Sequence, residues 1–157
     1  MRVACPGSFD PVTLGHLNIF ERAASLYEEV VVLVTYNPNK QGTFSAAERV
    51  ALIRAEVAHL PNVSVDSWSG LLVDYTTAHD IPVLVKGLRS SLDYEYELPM
   101  AQMNKRLSGV ETNFLMTDPE FGYISSTLCR EVARFGGDLT GLVPRDVMAA
   151  LQEKIKR

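Results

Sequence analysis

The residues best suited to chemistry fall in a few short segments. The first is Pro6-Gly7-Ser8-Phe9-Asp10-Pro11 followed by Thr13-Leu14-Gly15-His16, which leads into residues at helical spacing. The start of a helix offers unpaired amides and the positive end of its dipole, so an anion is favoured there. His16 falls in the first turn and can present an imidazole N–H to a bound phosphate, while Gly15 leaves room for close approach. Thr13 also suits an ordinary helix N-cap. Asn37-Pro38-Asn39-Lys40 places a cation on a loop, and Lys86-Gly87-Leu88-Arg89 supplies two more. One of these is a guanidinium, which can grip a phosphate through two parallel hydrogen bonds. A lysine ending the apolar run Val83-Leu84-Val85 is costly to bury, so an anionic partner accounts for it best. Finally, Tyr123-Ile124-Ser125-Ser126-Thr127-Leu128-Cys129-Arg130 brings three consecutive hydroxyls to a second helix start.

Other chemistries lack their residues. No G-x-G occurs, which excludes the dinucleotide fingerprint, and no G-K-S/T occurs, which excludes the Walker A loop. His16, His59 and His79 have no H-x-x-x-H spacing, and no G-x-S-x-G elbow is present. No metal site is expected. Trp68, Tyr94 and Tyr96 read as core or rim aromatics rather than a stacking platform.

The elements that must position these groups alternate along the chain. Val3–Cys5, Val30–Tyr36, Val63–Trp68, Val83–Lys86 and Thr112–Thr117 read as strands. Helices are expected over about 15–27, from the Ser45–Glu48 capping box to Pro61-Asn62, over Leu71–His79, Ser91–Leu107 and Ser126–Phe135, and after Pro144. Gly136-Gly137 supplies the stop for the fifth helix. Repeated βα units of this kind make an α/β doubly wound, five-stranded parallel sheet in one domain over residues 1–157. Ligands of such folds sit at the carboxyl ends of the strands, here just after Cys5, Tyr36, Trp68, Lys86 and Thr117.

Composition bounds the partners. The 157 residues carry 15 Lys+Arg against 19 Asp+Glu, a net charge of −4. An acidic chain with no basic block does not suit sequence-independent nucleic-acid binding, so no nucleic acid is expected. Its longest uncharged stretches, Pro11–Phe20 and Val30–Asn39, are about half the roughly 20 residues a membrane-spanning helix needs, so no membrane partner is expected either. Residues 1–10 show no apolar core of a signal peptide, and Cys5 and Cys129 read as buried free thiols, so a cytoplasmic location is expected.

Thr13-Leu14-Gly15-His16 resembles the T/H-x-G-H motif of the nucleotidyltransferase superfamily, and Ile124 to Arg130 resembles its ISST-x-x-R partner. With Lys86-Gly87-Leu88-Arg89, Asp93 to Glu97 and Met103-Asn104, the chain resembles the bacterial phosphopantetheine adenylyltransferase family over essentially its whole length. The resemblance implies a Rossmann-like nucleotidyltransferase fold. It also implies transfer of AMP from ATP to 4′-phosphopantetheine with Mg²⁺, giving dephospho-coenzyme A and pyrophosphate. It assigns His16 to the transition state, with Lys40 and Arg89 assisting, and Ser8, Lys40, Leu72 and Lys86 to the acceptor. For ATP it assigns Ser8, Phe9, His16, Gly87, Leu88, Arg89 and Glu97, together with Phe121, Gly122, Tyr123, Ile124, Ser125, Ser126 and Thr127. A homohexamer restrained by coenzyme A is a further implication. Pro99 departs from the family pattern; because proline removes an amide and clashes with the preceding turn, a kink or a late helix start is expected, which would disturb Glu97.

The acceptor is a phosphate monoester already ionised at neutral pH, so direct in-line attack needs no general base and no covalent enzyme intermediate. Two other functions use the same residue types. One is a sister transferase with a different phosphate acceptor, such as nicotinamide mononucleotide or glycerol 3-phosphate; the other is a non-enzymatic ATP sensor.

Overall fold

Alternation of buried valines and leucines with turn residues yields five strands: β1 (Arg2–Gly7), β2 (Glu29–Thr35), β3 (Val63–Trp68), β4 (Val83–Leu88) and β5 (Glu111–Met116). The computed structural model describes residues 1–156. All strands are parallel, in the order β3-β2-β1-β4-β5. The helices are α1 (Leu14–Leu26), α2 (Ala46–Val57), α3 (Leu72–Ala78), α4 (Ser91–Ser108), α5 (Ser126–Arg134) and α6 (Arg145–Ile155). The expected doubly wound α/β sheet is therefore present.

Strand periodicity decides which helix packs where. Val3, Cys5, Val30, Val32, Val34, Val83 and Val85 face α1, α2, α5 and α6, whose Phe20, Ile53, Cys129 and Leu151 complete the larger core. Their neighbours Ala4, Val31, Leu33 and Leu84 point the other way, onto Val73 and Tyr75 of α3. Each fully buried side chain of this size contributes about 1.5–3 kcal/mol. No residue of α4 is buried, and β5 is an edge strand.

The register prepares the site. β1 pairs with β2 over its whole length, from Arg2↔Glu29 to Gly7↔Val34, but with β4 only at Val3↔Val83 and Ala4↔Leu84. Beyond Ala4 the β1–β4 ladder ends, so a cleft opens at the carboxyl ends where strand order reverses.

Two expectations are corrected, and one element is new. The second helix stops at Val57, before Pro61-Asn62, because Leu60 already turns back onto Val57. The fourth helix runs unbroken through Pro99 and begins at Ser91, so it does not start late. Pro99 lies on the exposed side, where water can satisfy the Glu95 carbonyl that loses its intrahelical donor. A 3-10 turn at Pro119–Phe121 carried no periodic signal.

Candidate active site

A cavity of about 540 Å³ fills the cleft between β1 and β4. This is within the range of small-molecule sites. Its floor is Cys5, Pro6 and Gly7 of β1 and Val85, Lys86 and Gly87 of β4, and its rim includes Ser8, Phe9, His16, Arg89, Glu97 and Ser125 to Thr127.

Thr13 is the N-cap of α1 and His16 its third residue, and together they form a capping box. The His16 amide donates to Thr13 Oγ1 at 3.3 Å, and the Thr13 amide donates to His16 Nδ1 at 3.0 Å. His16 thus takes the place usually held by Glu or Gln. Because Nδ1 accepts from an amide, the ring's proton resides on Nε2, which remains available as a donor. Burial, with the Arg89 charge adding to it, pushes the His16 pKa down to about 4, so the ring is neutral at pH 7.

Phe9 backs that ring. Its aromatic plane meets His16 edge-on at 5.0 Å between centroids and Phe20 at 5.2 Å. To reach this seat Phe9 adopts φ 47°, a left-handed conformation, and folds back over Gly7. A Cβ at Gly7 would lie 2.7 Å from the Phe9 ring, so that position excludes any side chain. Gly87 does the same for the helix above: a Cβ there would come within 2.8 Å of Ile19, so glycine lets α1 lie close on β4.

The second motif is tied to the first. Ser125 caps α5 by accepting from the Leu128 amide, Ser126 Oγ donates to the Pro11 carbonyl at 2.7 Å, and Thr127 Oγ1 accepts from Arg130. All three hydroxyls are therefore engaged in structure. What α5 leaves for an anion is its first amides and the O–H groups of Ser125 and Thr127, whose oxygens are acceptors in these bonds. Arg130 also donates to the Asp10 carbonyl at 2.6 Å.

The cations at the cavity are paired. Lys86 Nζ lies 2.7 Å from Glu97 Oε2, and Arg89 bonds Asp93 through its amide and Nε while Nη1 donates to the Ile124 carbonyl at 2.8 Å. The unbroken α4 thus delivers Glu97 to the cavity despite Pro99. Cys5 also lines it, but burial pushes its thiol up to about 12, so it is an inert wall rather than a nucleophile.

A family model described as cytidylyltransferase-like matches residues 4–132. A protein of Corynebacterium efficiens named phosphopantetheine adenylyltransferase is 67% identical over 155 residues, covering 98% of each chain. A protein of the same name from Corynebacterium diphtheriae is 64% identical over 156 residues, covering 99% of this chain and 98% of its own. The chain belongs to the phosphopantetheine adenylyltransferase family. It is a nucleotidyltransferase.

In this member of the family the fold gathers Ser8, Phe9, His16, Lys86, Gly87, Arg89, Glu97, Ile124, Ser125, Ser126 and Thr127 around one cavity. Others stand apart. Lys40 is exposed on the loop after β2, and Leu72 begins α3 and packs against the smaller core. The Leu88 side chain is buried, while Phe121, Gly122 and Tyr123 lie on the 3-10 turn and its exit. Sequence reasoning did not find Asp93 as Arg89's partner, although the spacing of four residues was a signal for it, nor the buried Arg49, whose partners Ser8 and Asp10 lie on a distant loop where no periodicity shows them. The Thr13-x-x-His16 spacing was a legible signal for the capping box. Among the described residues no group of three or more His, Cys, Asp or Glu is placed to hold a metal ion.

Proposed function

We propose that the chain transfers the adenylyl group of ATP to 4′-phosphopantetheine, forming dephospho-coenzyme A and releasing pyrophosphate, a step of coenzyme A synthesis. The observation that carries this reading is the neutral His16, fixed with its Nε2–H free at a cavity that also holds Lys86, Arg89 and the start of α5. The names of the relatives above support the choice of acceptor.

The acceptor's phosphate oxygen attacks the α-phosphorus in line, a new P–O bond forms, and the bond to pyrophosphate breaks. No proton has to be removed and no covalent enzyme intermediate forms. The barrier is repulsion between polyanions and charge growing on the α-phosphate, so positioning and preorganised donors carry the catalysis. His16 donates to the α-phosphate oxygen, Arg89 and Lys40 offset the developing charge, and the α5 amides hold the polyphosphate. Glu97, Gly87, Leu88, Phe121, Gly122 and Tyr123 complete the ATP side, and Ser8, Lys40, Leu72 and Lys86 the acceptor side. Lys86 and Arg89 meet their substrates by exchanging carboxylates for phosphates. Mg²⁺ enters with ATP as part of the substrate; the carboxylates near the cavity, Asp93 and Glu97, are already committed to cations.

One domain over residues 1–157 carries this reaction in the cytoplasm; no described helix is long and apolar enough to cross a membrane. A homohexamer is the proposed assembly. The exposed Leu92, Tyr96, Met103 and Leu107 of α4, beside Met116 of the edge strand, are apolar surface of the kind that subunit contacts cover. Coenzyme A, which contains the acceptor's own pantetheine arm, is the proposed feedback ligand.

Mass detection of products from ATP or CTP with each acceptor tests the reaction. Dephospho-coenzyme A and pyrophosphate are expected only with ATP and 4′-phosphopantetheine. Pyrophosphate released with nicotinamide mononucleotide or glycerol 3-phosphate instead would overturn the reading.

A further inference from the structure

A buried charge cluster lies beside the cavity, outside the groups assigned to the reaction. The Asp10 carboxylate accepts the Thr43 and Phe44 amides, each at 2.9 Å, and its Oδ1 is 3.5 Å from Arg49 Nε. Arg49 comes from α2 and is only 8% exposed. Its Nε donates to the Phe44 carbonyl at 2.9 Å and its Nη1 to the Ser8 carbonyl at 3.3 Å. A guanidinium this buried is tolerated only when paired and hydrogen-bonded on several sides, as here. Space around it is closed: a Cβ at Gly42 would lie 2.1 Å from Arg49 Nη2 and 2.6 Å from Asp10 Oδ2.

The cluster has a direction. Arg49 holds the Ser8 carbonyl, Arg130 the Asp10 carbonyl and Ser126 the Pro11 carbonyl. In a planar trans peptide the carbonyl and the following N–H point opposite ways, so fixing the Ser8 carbonyl on Arg49 turns the Phe9 amide away from it. Ser8 and Phe9 line the cavity, and the Phe9 ring backs His16. Through Thr43 and Phe44 the same cluster anchors the loop that carries Lys40.

We propose that Arg49 is a positioning residue: clasped to Asp10, it sets the Ser8–Phe9 peptide for the nucleotide and couples it to the loop bearing Lys40. The inference rests on the adenylyl-transfer reading for its effect on turnover, while its effect on ATP binding is separate from the acceptor's identity.

The experiment compares Arg49→Lys, Gly42→Ala and their combination with the parent protein, measuring ATP affinity by calorimetry, kcat, and the thermal midpoint. Lysine keeps the charge but cannot hold Phe44, Ser8 and Asp10 together. Gly42→Ala removes no charged group, and Gly42 lies outside the left-handed region, so alanine disturbs the clasp without straining the backbone. Misplaced reacting groups lose roughly ten- to a hundredfold in rate. A loss of roughly tenfold or more in ATP affinity and in kcat is expected for each folded variant, with no further loss on combining them, because both act on one clasp. ATP affinity and kcat unchanged in folded Gly42→Ala and Arg49→Lys would overturn the proposal, as would losses that multiply. If the parent binds ATP yet transfers nothing to 4′-phosphopantetheine, the reaction reading fails, and the ATP affinities still decide the clasp.

Discussion

On the flank of the cavity built from the loop after β1 and the start of α5, the carbonyls of Ser8, Asp10 and Pro11 each meet a side-chain donor, and His16 is locked into a capping box. On the other flank, α4 has no buried residue and holds the cavity through exchangeable ion pairs. The difference teaches how the work is divided. Groups that act on developing charge gain most from being fixed before the reaction, since they need no reorganisation at that moment. Groups that admit and release a long acceptor need to yield. The larger core lies beneath the first flank, so its rigidity comes from burial together with the Asp10–Arg49 pair.

The largest effect should come from the rigid flank. His16→Ala is expected to lower kcat by about 10²–10³ with a smaller change in substrate affinity, because a donor aimed at the transition state is lost. Steady-state assays with an unchanged kcat would break the comparison at its centre. On the exposed loop after β2, Lys40→Ala removes one charged contact, so KM for 4′-phosphopantetheine should rise about tenfold or more while KM for ATP holds. Equal changes in both constants would mean that Lys40 acts on the whole cavity. Smallest in function is Pro99→Gln, which restores an amide to α4 and should stabilise the fold by about 1–3 kcal/mol in denaturant titrations, with kcat little changed. A loss of stability there would show that α4 depends on the proline.

How legible each flank was follows from the same physics. The unbroken apolar, largely β-branched run announced β2, helical spacing announced the apolar stripe of α2, and glycine at φ 72° closed α5 as its position suggested. Thr13, His16 and Ser125 were readable because caps act over three residues of sequence. The Lys86–Glu97 pair, the Arg89 to Ile124 bond and the Arg49 clasp join residues that are 11, 35 and 41 positions apart. Only the folded chain brings such pairs together, so spacing alone did not reveal them. Hydroxyls at Ser125 to Thr127 read as ligands from their type; that Ser126 donates to the Pro11 carbonyl, while Ser125 and Thr127 accept and keep an O–H, emerges only in the folded chain.

The claim that the transfer flank is prebuilt around a neutral histidine is open to one direct test: nitrogen-15 NMR of His16 from pH 4 to 8. The ring is expected to stay neutral, with its proton on Nε2, down to a pKa of about 4, well below its ordinary 6.5. Protonation then favours the unfolded chain, so His16's share of stability is intact above pH 6.5 and declines as pH falls towards 4. Titration of His16 near 6.5, or a proton on Nδ1, would contradict the account.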